Sequence, residues 1–511
     1  MVPNFRYQIS HLRFCLAYCV TLFVTCNALS IGRLAKWFRE GESLDLTALV
    51  AYLVAGLSLF IAVFVLLAHR RTIKFFAILL VVLSGAATYF IVKYGVAIDS
   101  SMIMNAVHTD AVEVGQLLSW QMLPYVVLLI LVPIGVILAA DISFKPRGGY
   151  LWDSLKLFGA ALVLAIGLLA LEYRAIFRAG NASNKYIVYS LVPINVISGS
   201  VNAATKALRP YLRKDQKSLA ISARVTAPAD LVVVLAVGES SRRANFSLYG
   251  YSRETNPELQ QIEGLQILKG EASRASTLYA LPKILEKDGV KLTTITSKAG
   301  VPTVCYVNYT LYDNCAAVGE VKPTNCAHDG KCYDEDVLPL LREDLRGYSS
   351  GYRFIVLHLG GGSHGPLYGD RHPPEFQKFQ PACTDADVAN RCTKEELYNS
   401  YDNTILYVDH VVAQTLRVLE ESRVPYVLVY LSDHGESLLE DGRLFHGVPP
   451  GMALPREQAE IPLIVKSSIP MSISPREQYL QPEVFDSILD LFTIEAAGFD
   501  RAGAFLEREG H

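Results

Sequence analysis

Leu231-Val232-Val233-Val234-Leu235-Ala236-Val237-Gly238-Glu239-Ser240-Ser241-Arg242 is the stretch on which the fold turns. Leu231–Ala236 is an unbroken, largely β-branched apolar run, too short to cross a membrane, and it reads as a strand buried on both faces. Runs of the same kind follow at Lys291–Ile295, Phe354–His358 and Tyr426–Leu431, with helical stretches such as Leu278–Lys287 and Glu395–Glu421 between them. From Asp230 onward this alternation predicts an α/β sheet.

In open α/β sheets the ligand site lies just beyond the carboxyl ends of the strands. Leu231–Ala236 runs on through Val237 and Gly238 to Glu239. Phe354–His358 leads through Gly360, Gly361 and Gly362 to Ser363 and His364, and Tyr426–Leu431 leads to Asp433, His434 and Glu436. Glu239, Asp433 and His434 would give a metal ion three protein ligands and leave one position open, as catalytic zinc requires. The same donors suit manganese. Taken singly, Glu239 is also a plausible neighbour of a helix cap and Asp433 a strand-end turn former. Three such endings on one rim make a site.

Upstream the character changes. The 511 residues are 51% hydrophobic, and the first third holds most of the long apolar runs. Five of them approach the roughly 20 residues a span needs: Phe14–Ile31, Leu46–Ala68, Phe75–Val92, Met122–Ala140 and Leu157–Leu171. The first could be a signal peptide, but four more spans follow and no small-residue cleavage site stands near Ala28, which favours an anchor. Arg6, Arg13, Arg70, Arg71, Lys74, Lys145 and Arg147 mark the cytoplasmic ends, so everything after Leu171 is expected outside the cytoplasm. The expected organisation is a transmembrane domain at 1–173, a linker at 174–227 and a catalytic domain at 228–511. The linker reads equally as a membrane-surface segment or a solvated connector. A net charge of −3 without a basic block gives no surface for nucleic acid.

Three of the nine cysteines (Cys15, Cys19 and Cys26) fall in or beside the first span. The others form close pairs, Cys305 with Cys315, Cys326 with Cys332 and Cys383 with Cys392. Irregular spacing and few flanking histidines favour disulfides over zinc knuckles in an exported domain.

The segments Val237-Gly238-Glu239-Ser240-Ser241-Arg242, Leu248-Tyr249-Gly250-Tyr251-Ser252-Arg253 and Thr255-Asn256-Pro257 resemble the first metal-binding region of the phosphoethanolamine transferases. Gly362-Ser363-His364-Gly365-Pro366, Tyr401-Asp402-Asn403-Thr404, Ser432-Asp433-His434-Gly435-Glu436-Ser437 and Phe445-His446-Gly447 extend the likeness. It is strongest to the lipid A branch, which includes the transferable colistin-resistance enzymes, within the superfamily of sulfatases, alkaline phosphatases and lipoteichoic acid synthases. The resemblance implies an N-terminal five-helix transmembrane domain followed by a soluble α/β domain of alkaline-phosphatase/sulfatase type, in the bacterial inner membrane with the catalytic domain in the periplasm.

It further implies zinc-dependent transfer of phosphoethanolamine from phosphatidylethanolamine to lipid A or another periplasmic acceptor. A phospho-threonine would form, diacylglycerol would leave, and resistance to polymyxin and other cationic peptides would follow. Thr277 in Ser276-Thr277-Leu278-Tyr279-Ala280-Leu281-Pro282 matches the family nucleophile, a metal ligand in its own right; from the residues alone, Ser276 or Thr277 reads as a helix cap. His364 and His446 match positions that contact the phosphoryl group and move protons, and Glu436 could support the ligands or hold another metal ion. Asn105, Thr109 and Glu113, at helical spacing before the fourth span, match residues that recognise the ethanolamine ammonium; a solvated helix face is the plainer reading.

The chain departs from the family pattern in several places. Arg274 and Lys283 stand near where two cysteines commonly bracket the nucleophile, the segment after Pro282 is short, and a glycine is added before Ser363. A phosphate-contacting lysine maps only loosely to Lys298. Two other readings remain, a phosphoglycerol transferase or phosphatase on the same scaffold, and a catalytically silent membrane scaffold, which would have no need of Glu239, Thr277, Asp433 and His434 together.

Overall fold

Residues 6–108, 120–183, 186–212, 221–308, 312–324, 326, 332–360, 362–385, 387–449 and 452–509 are described by a computed structural model. The chain divides into two compact units, Met1–Leu208 with Pro449–Ala453, and Arg209–Val448 with Leu454–His511.

Among the described residues, five helices of the first unit are long and apolar enough to cross a bilayer: His11–Ala28, Leu46–Leu67, Ile73–Tyr94, Trp120–Ala139 and Gly148–Leu171. The last begins well before the expected Leu157, because its polar first turns stay helical and Asp153 pairs with Lys145 at 2.7 Å. Tyr7–Ser10 pairs in parallel with Ala140–Ser143, and His11 Nε2 lies 3.0 Å from the Ala68 carbonyl. The start of the first helix and the ends of the second and fourth therefore share one end of the bundle, the end that carries the basic residues. Within 174–227, where the sequence suggested a linker, helices Tyr173–Ala182 and Ile194–Leu212 form, and Ala175, Ala179, Ile187 and Val196 are buried in the same core as the long helices.

The second unit is built on an eight-stranded sheet among the described residues. In chain order its strands are β1 (Leu231–Gly238), β2 (Gln266–Glu271), β3 (Thr303–Val307), β4 (Glu320–Val321), β5 (Tyr352–Leu359), β6 (Tyr426–Ser432), β7 (Glu460–Ser467) and β8 (Tyr479–Leu480). They lie in the order β4-β3-β5-β1-β6-β7-β2-β8. The central trio β5, β1 and β6 is parallel, with Leu359, Gly238 and Ser432 level with one another, so all three strands end on one line. Leu231 to Val237 are each at most 1% exposed, the burial on both faces that an unbroken apolar strand demands. Leu231, Val233 and Leu235 share a core with Leu281, Ile284 and Leu285 of helix Thr277–Leu285 and with Val484, Phe485 and Ile488 of helix Gln481–Leu491. Helix Lys394–Ser422 starts at a capping box in which Thr393 and Glu396 satisfy each other's backbone amides.

One expected strand is overturned. Of Lys291–Ile295 only Lys291 is extended, at the end of a short hairpin of Glu286–Lys287 against Val290–Lys291, and the rest opens helix Leu292–Lys298. Leu292, Thr293, Ile295 and Thr296 are buried at helical spacing, so tertiary packing prevails over the β-propensity of the threonines and isoleucine. All three expected cysteine pairs are disulfides, while Cys15, Cys19 and Cys26 are buried thiols on the first long helix.

Candidate active site

Glu239 and Asp433 each stand one residue beyond the line where β1 and β6 end, which brings their carboxylates together. Between them Ser240 adopts a left-handed backbone (φ 56°), a strained conformation for a residue with a side chain. Its amide donates to Asp433 Oδ1 at 3.0 Å and its hydroxyl to Glu239 Oε1 at 2.7 Å. The other Glu239 oxygen accepts from the Thr277 hydroxyl at 2.9 Å. His434 Nε2 lies 3.4 Å from Thr277 Oγ1, 3.5 Å from Glu239 Oε1 and 3.3 Å from Asp433 Oδ2. Its Nδ1 faces the Gly435 carbonyl at 3.0 Å, which fixes the proton there and leaves Nε2 as a lone-pair donor.

Asp433 supplies the test of whether a cation fits. Its Oδ1 accepts the amides of Ser240 and His434, but its Oδ2 is buried without a hydrogen-bond partner. A buried carboxylate oxygen left this way is costly unless a cation takes it. Burial and the neighbouring Glu239 charge push the Asp433 carboxyl well above the usual carboxylate range. Burial works upward on Glu239 too, but the imidazoles of His434, His364 and His446 hold it below the usual carboxylate range. Two carboxylates this close cannot both carry charge cheaply without a positive partner. Two carboxylates, one imidazole and one hydroxyl are a donor set that fits a divalent ion of the zinc or manganese type.

Thr277 is the first residue of helix Thr277–Leu285; Ser276 occupies the cap position and its hydroxyl makes no capping bond. The Thr277 oxygen thus stands at a helix N-terminus, where backbone N–H groups favour an anion. Beside it, His446 Nδ1 lies 2.7 Å from Glu436 Oε2, and the other Glu436 oxygen accepts from the buried Tyr368 hydroxyl at 3.1 Å. The His446 ring is 4.3 Å from that of His434 and 4.9 Å from that of His364, centroid to centroid. Burial pushes the Glu436 carboxyl up to about 8. The loop carrying His364 is tied to the rim by the Ser363 amide on the Glu239 carbonyl at 3.0 Å.

Glu239, Thr277, His364, Asp433, His434, Glu436 and His446 therefore form one cluster. Lys298 is exposed at the end of its helix, with Nζ 3.4 Å from the Ile221 carbonyl. Asn105 belongs to the first unit, on helix Ser100–His108, and Thr109 and Glu113 lie outside the described residues. Sequence reasoning missed Ser240, Tyr368 and Gln481 as site residues. Ser240 was signalled by its place beside Glu239 and Tyr368 by the Gly365-Pro366 loop; Gln481 carried no local signal.

Residues 56–208 match the family described as Phosphoethanolamine transferase EptA/EptB, and 265–494 the family described as Sulfatase. The chain is 32% identical over 475 residues to "Phosphoethanolamine transferase EptA" of Escherichia coli (strain K12), covering 84% of each. It is 26% identical to "Phosphatidylethanolamine transferase Mcr-1" of Escherichia coli, covering 95% of this chain and 96% of that one. In fold it is similar to the integral membrane protein lipooligosaccharide phosphoethanolamine transferase A from Neisseria meningitidis, with a TM-score of 0.82, 24% identity and 96% of each chain covered.

Proposed function

Because the chain belongs to the EptA family of phosphoethanolamine transferases, we propose that it carries phosphoethanolamine from phosphatidylethanolamine to lipid A or a related periplasmic glycolipid through a phosphorylated Thr277. The observation that carries this reading is the Thr277 hydroxyl, 2.9 Å from Glu239 and 3.4 Å from His434, beside a buried Asp433 oxygen that has no hydrogen-bond partner. Glu239, Asp433, His434 and Thr277 would hold one zinc ion. Such an ion lowers the pKa of an attached hydroxyl and offsets charge on phosphoryl oxygens.

The chain's own residues account for the rest. Thr277 points its proton at Glu239, which takes it as the threonine oxygen attacks the phosphorus of the donor lipid. The Thr277 O–P bond forms as the bond from phosphorus to the diacylglycerol oxygen breaks, and that oxygen needs a proton. His446, oriented by Glu436, is placed to give it, with His364 beside it against the phosphoryl group. In the second half the acceptor oxygen gives its proton to His446 as it attacks, the bond to Thr277 breaks, and the threonine oxygen takes back the proton that Glu239 had accepted. Ping-pong kinetics follow. We place the chain in the bacterial inner membrane with residues 228–511 in the periplasm, Asn105, Thr109 and Glu113 receiving the ethanolamine ammonium, and polymyxin resistance as the outcome in the cell.

The test is to feed detergent-solubilised protein a fluorescent phosphatidylethanolamine and lipid A, then analyse both lipids and the protein by mass spectrometry. Diacylglycerol release, a phosphoethanolamine increment on lipid A and a trapped adduct on Thr277 are expected, all absent from Thr277→Ala. Full activity in that variant sinks the mechanism; diacylglycerol release without transfer to any acceptor assigns a hydrolase instead.

A further inference from the structure

Helix Gln481–Leu491 opens with a glutamine that has no exposed surface to justify its polarity, being 1% exposed. Its amide is nevertheless fully engaged. Gln481 Oε1 accepts the Ser273 amide at 2.9 Å, and its Nε2 donates to the backbone carbonyls of Ser432, at 3.2 Å, and Asp433. One side chain thus joins two segments far apart in sequence: the end of β6, which presents Asp433 and His434, and the turn that enters the Thr277 helix. From this geometry we infer that Gln481 is a positioning residue, which sets the distance between Thr277 and the carboxylate–imidazole cluster. The inference rests on the reading of Thr277 as the nucleophile.

Burial explains why the link can be stiff. With no water able to replace either partner, each amide bond is expensive to break. The apolar docking around it fixes the remaining freedom: Leu281, Ile284 and Leu285 share the core with Val484, Phe485 and Ile488, and Lys287 pairs with Asp486 at 2.7 Å. Those contacts hold the far end of the Thr277 helix. Gln481 holds its near end, where the hydroxyl stands, and no described disulfide includes a residue of 271–285. An amide does both halves of this work, accepting from the N–H on one side and donating two N–H bonds to the carbonyls on the other.

Gln481→Glu keeps the shape and the acceptor for Ser273 but replaces two N–H donors to the carbonyls by at most one O–H, present only when the buried carboxyl is protonated. Gln481→Met keeps the volume and removes both bonds. Each full-length variant is compared with wild type and with Thr277→Ala for kcat and KM with fluorescent phosphatidylethanolamine, bound zinc and the rate of phospho-Thr277 formation. Misplacement of a reacting group by about 1 Å costs about 100-fold. The expected result is a kcat and phospho-Thr277 rate lowered about 10- to 100-fold in both Gln481 variants, with donor KM and zinc content near wild type. Wild-type kcat in soluble Gln481→Met, while Thr277→Ala is inactive, overturns the inference and leaves the proposed function standing. Equal loss of kcat and zinc makes Gln481 a structural support of the cation site and likewise overturns it. Activity in Thr277→Ala removes the premise instead. Should Gln481→Met fail to fold, Gln481→Glu decides alone, since it retains the bond to Ser273.

Discussion

Replacing Gly435 by alanine tests whether the rim tolerates any displacement at all. A Cβ built on Gly435 would lie 2.1 Å from the Glu457 carbonyl oxygen and 3.0 Å from Arg242 Cβ. Ordinary contact needs about 3.5 Å, so about 1.4 Å of movement must be found. Little can give: the Gly435 amide is bonded to the Gln458 carbonyl at 2.9 Å, and Gln458 Nε2 is tied to Ser437 at 2.8 Å and to the Phe445 carbonyl at 3.1 Å. Overpacking of this kind costs about 1–3 kcal/mol of stability. Because Gly435 directly follows Asp433 and His434, the same displacement reaches the residues proposed to hold the cation, and we expect kcat to fall at least about 100-fold. Purified Gly435→Ala is assayed for bound zinc, thermal midpoint and transfer to lipid A. Gly347→Ala, whose Cβ would meet nothing within 4 Å, serves as the neutral control. Zinc content and kcat within twofold of wild type in Gly435→Ala would refute the claim that this loop is held rigidly.

Three further outcomes are expected. Tyr368→Phe removes the hydroxyl on Glu436 while keeping the ring, and should lower kcat about 3- to 10-fold with the zinc content unchanged, the size of one lost hydrogen bond (~1 kcal/mol). Burial pushes Asp409 up to about 7 against the pull of the Glu258 and Leu259 amides it accepts. Its folded value is raised, so the stability it supplies is full below about pH 4 and is lost as pH rises through about 7, by at most about 1.4 kcal/mol per unit; Asp409→Asn should flatten denaturation midpoints across that window, and an unchanged slope counts against it. Replacing Cys305 and Cys315 together by serine opens a loop of sequence separation 10 and should cost about 2–3 kcal/mol by urea unfolding, with less than about 0.5 kcal/mol contradicting the expectation.

The central strands could be read from sequence because burial on both faces leaves little room for polar residues, so β1 and β6 appear as nearly unbroken apolar runs and β5 as a run broken only by Arg353 and His358. Their endings were legible for the same reason: Glu239 and Asp433 are the first charges after an apolar stretch. The flanking strands gave no such signal. β7 is interrupted by Pro462, and β2 mixes Gln266, Lys269 and Glu271 into a largely exposed strand, which resembles loop composition. Lys291–Ile295 failed because its residues favour a strand locally while the hairpin before it delivers them to a helical docking surface. Thr277 was legible only through the family likeness, since a threonine opening a helix is ordinarily a cap. Gln481 could not have been found, for its partners Ser273 and Asp433 lie 208 and 48 residues away.

The level ending of β5, β1 and β6 divides the chain into parts that tolerate revision and parts that do not. Inserting one residue within any of these three strands would advance its exit by about 3.3 Å and turn its last side chain to the opposite face. Lengthening the connections beyond them alters neither. New acceptor chemistry is therefore best sought by randomising the segments after His364 and after Glu440, with the strand lengths, Tyr368 and His446 frozen. A library built the other way round should return folded proteins that have lost their grip on metal.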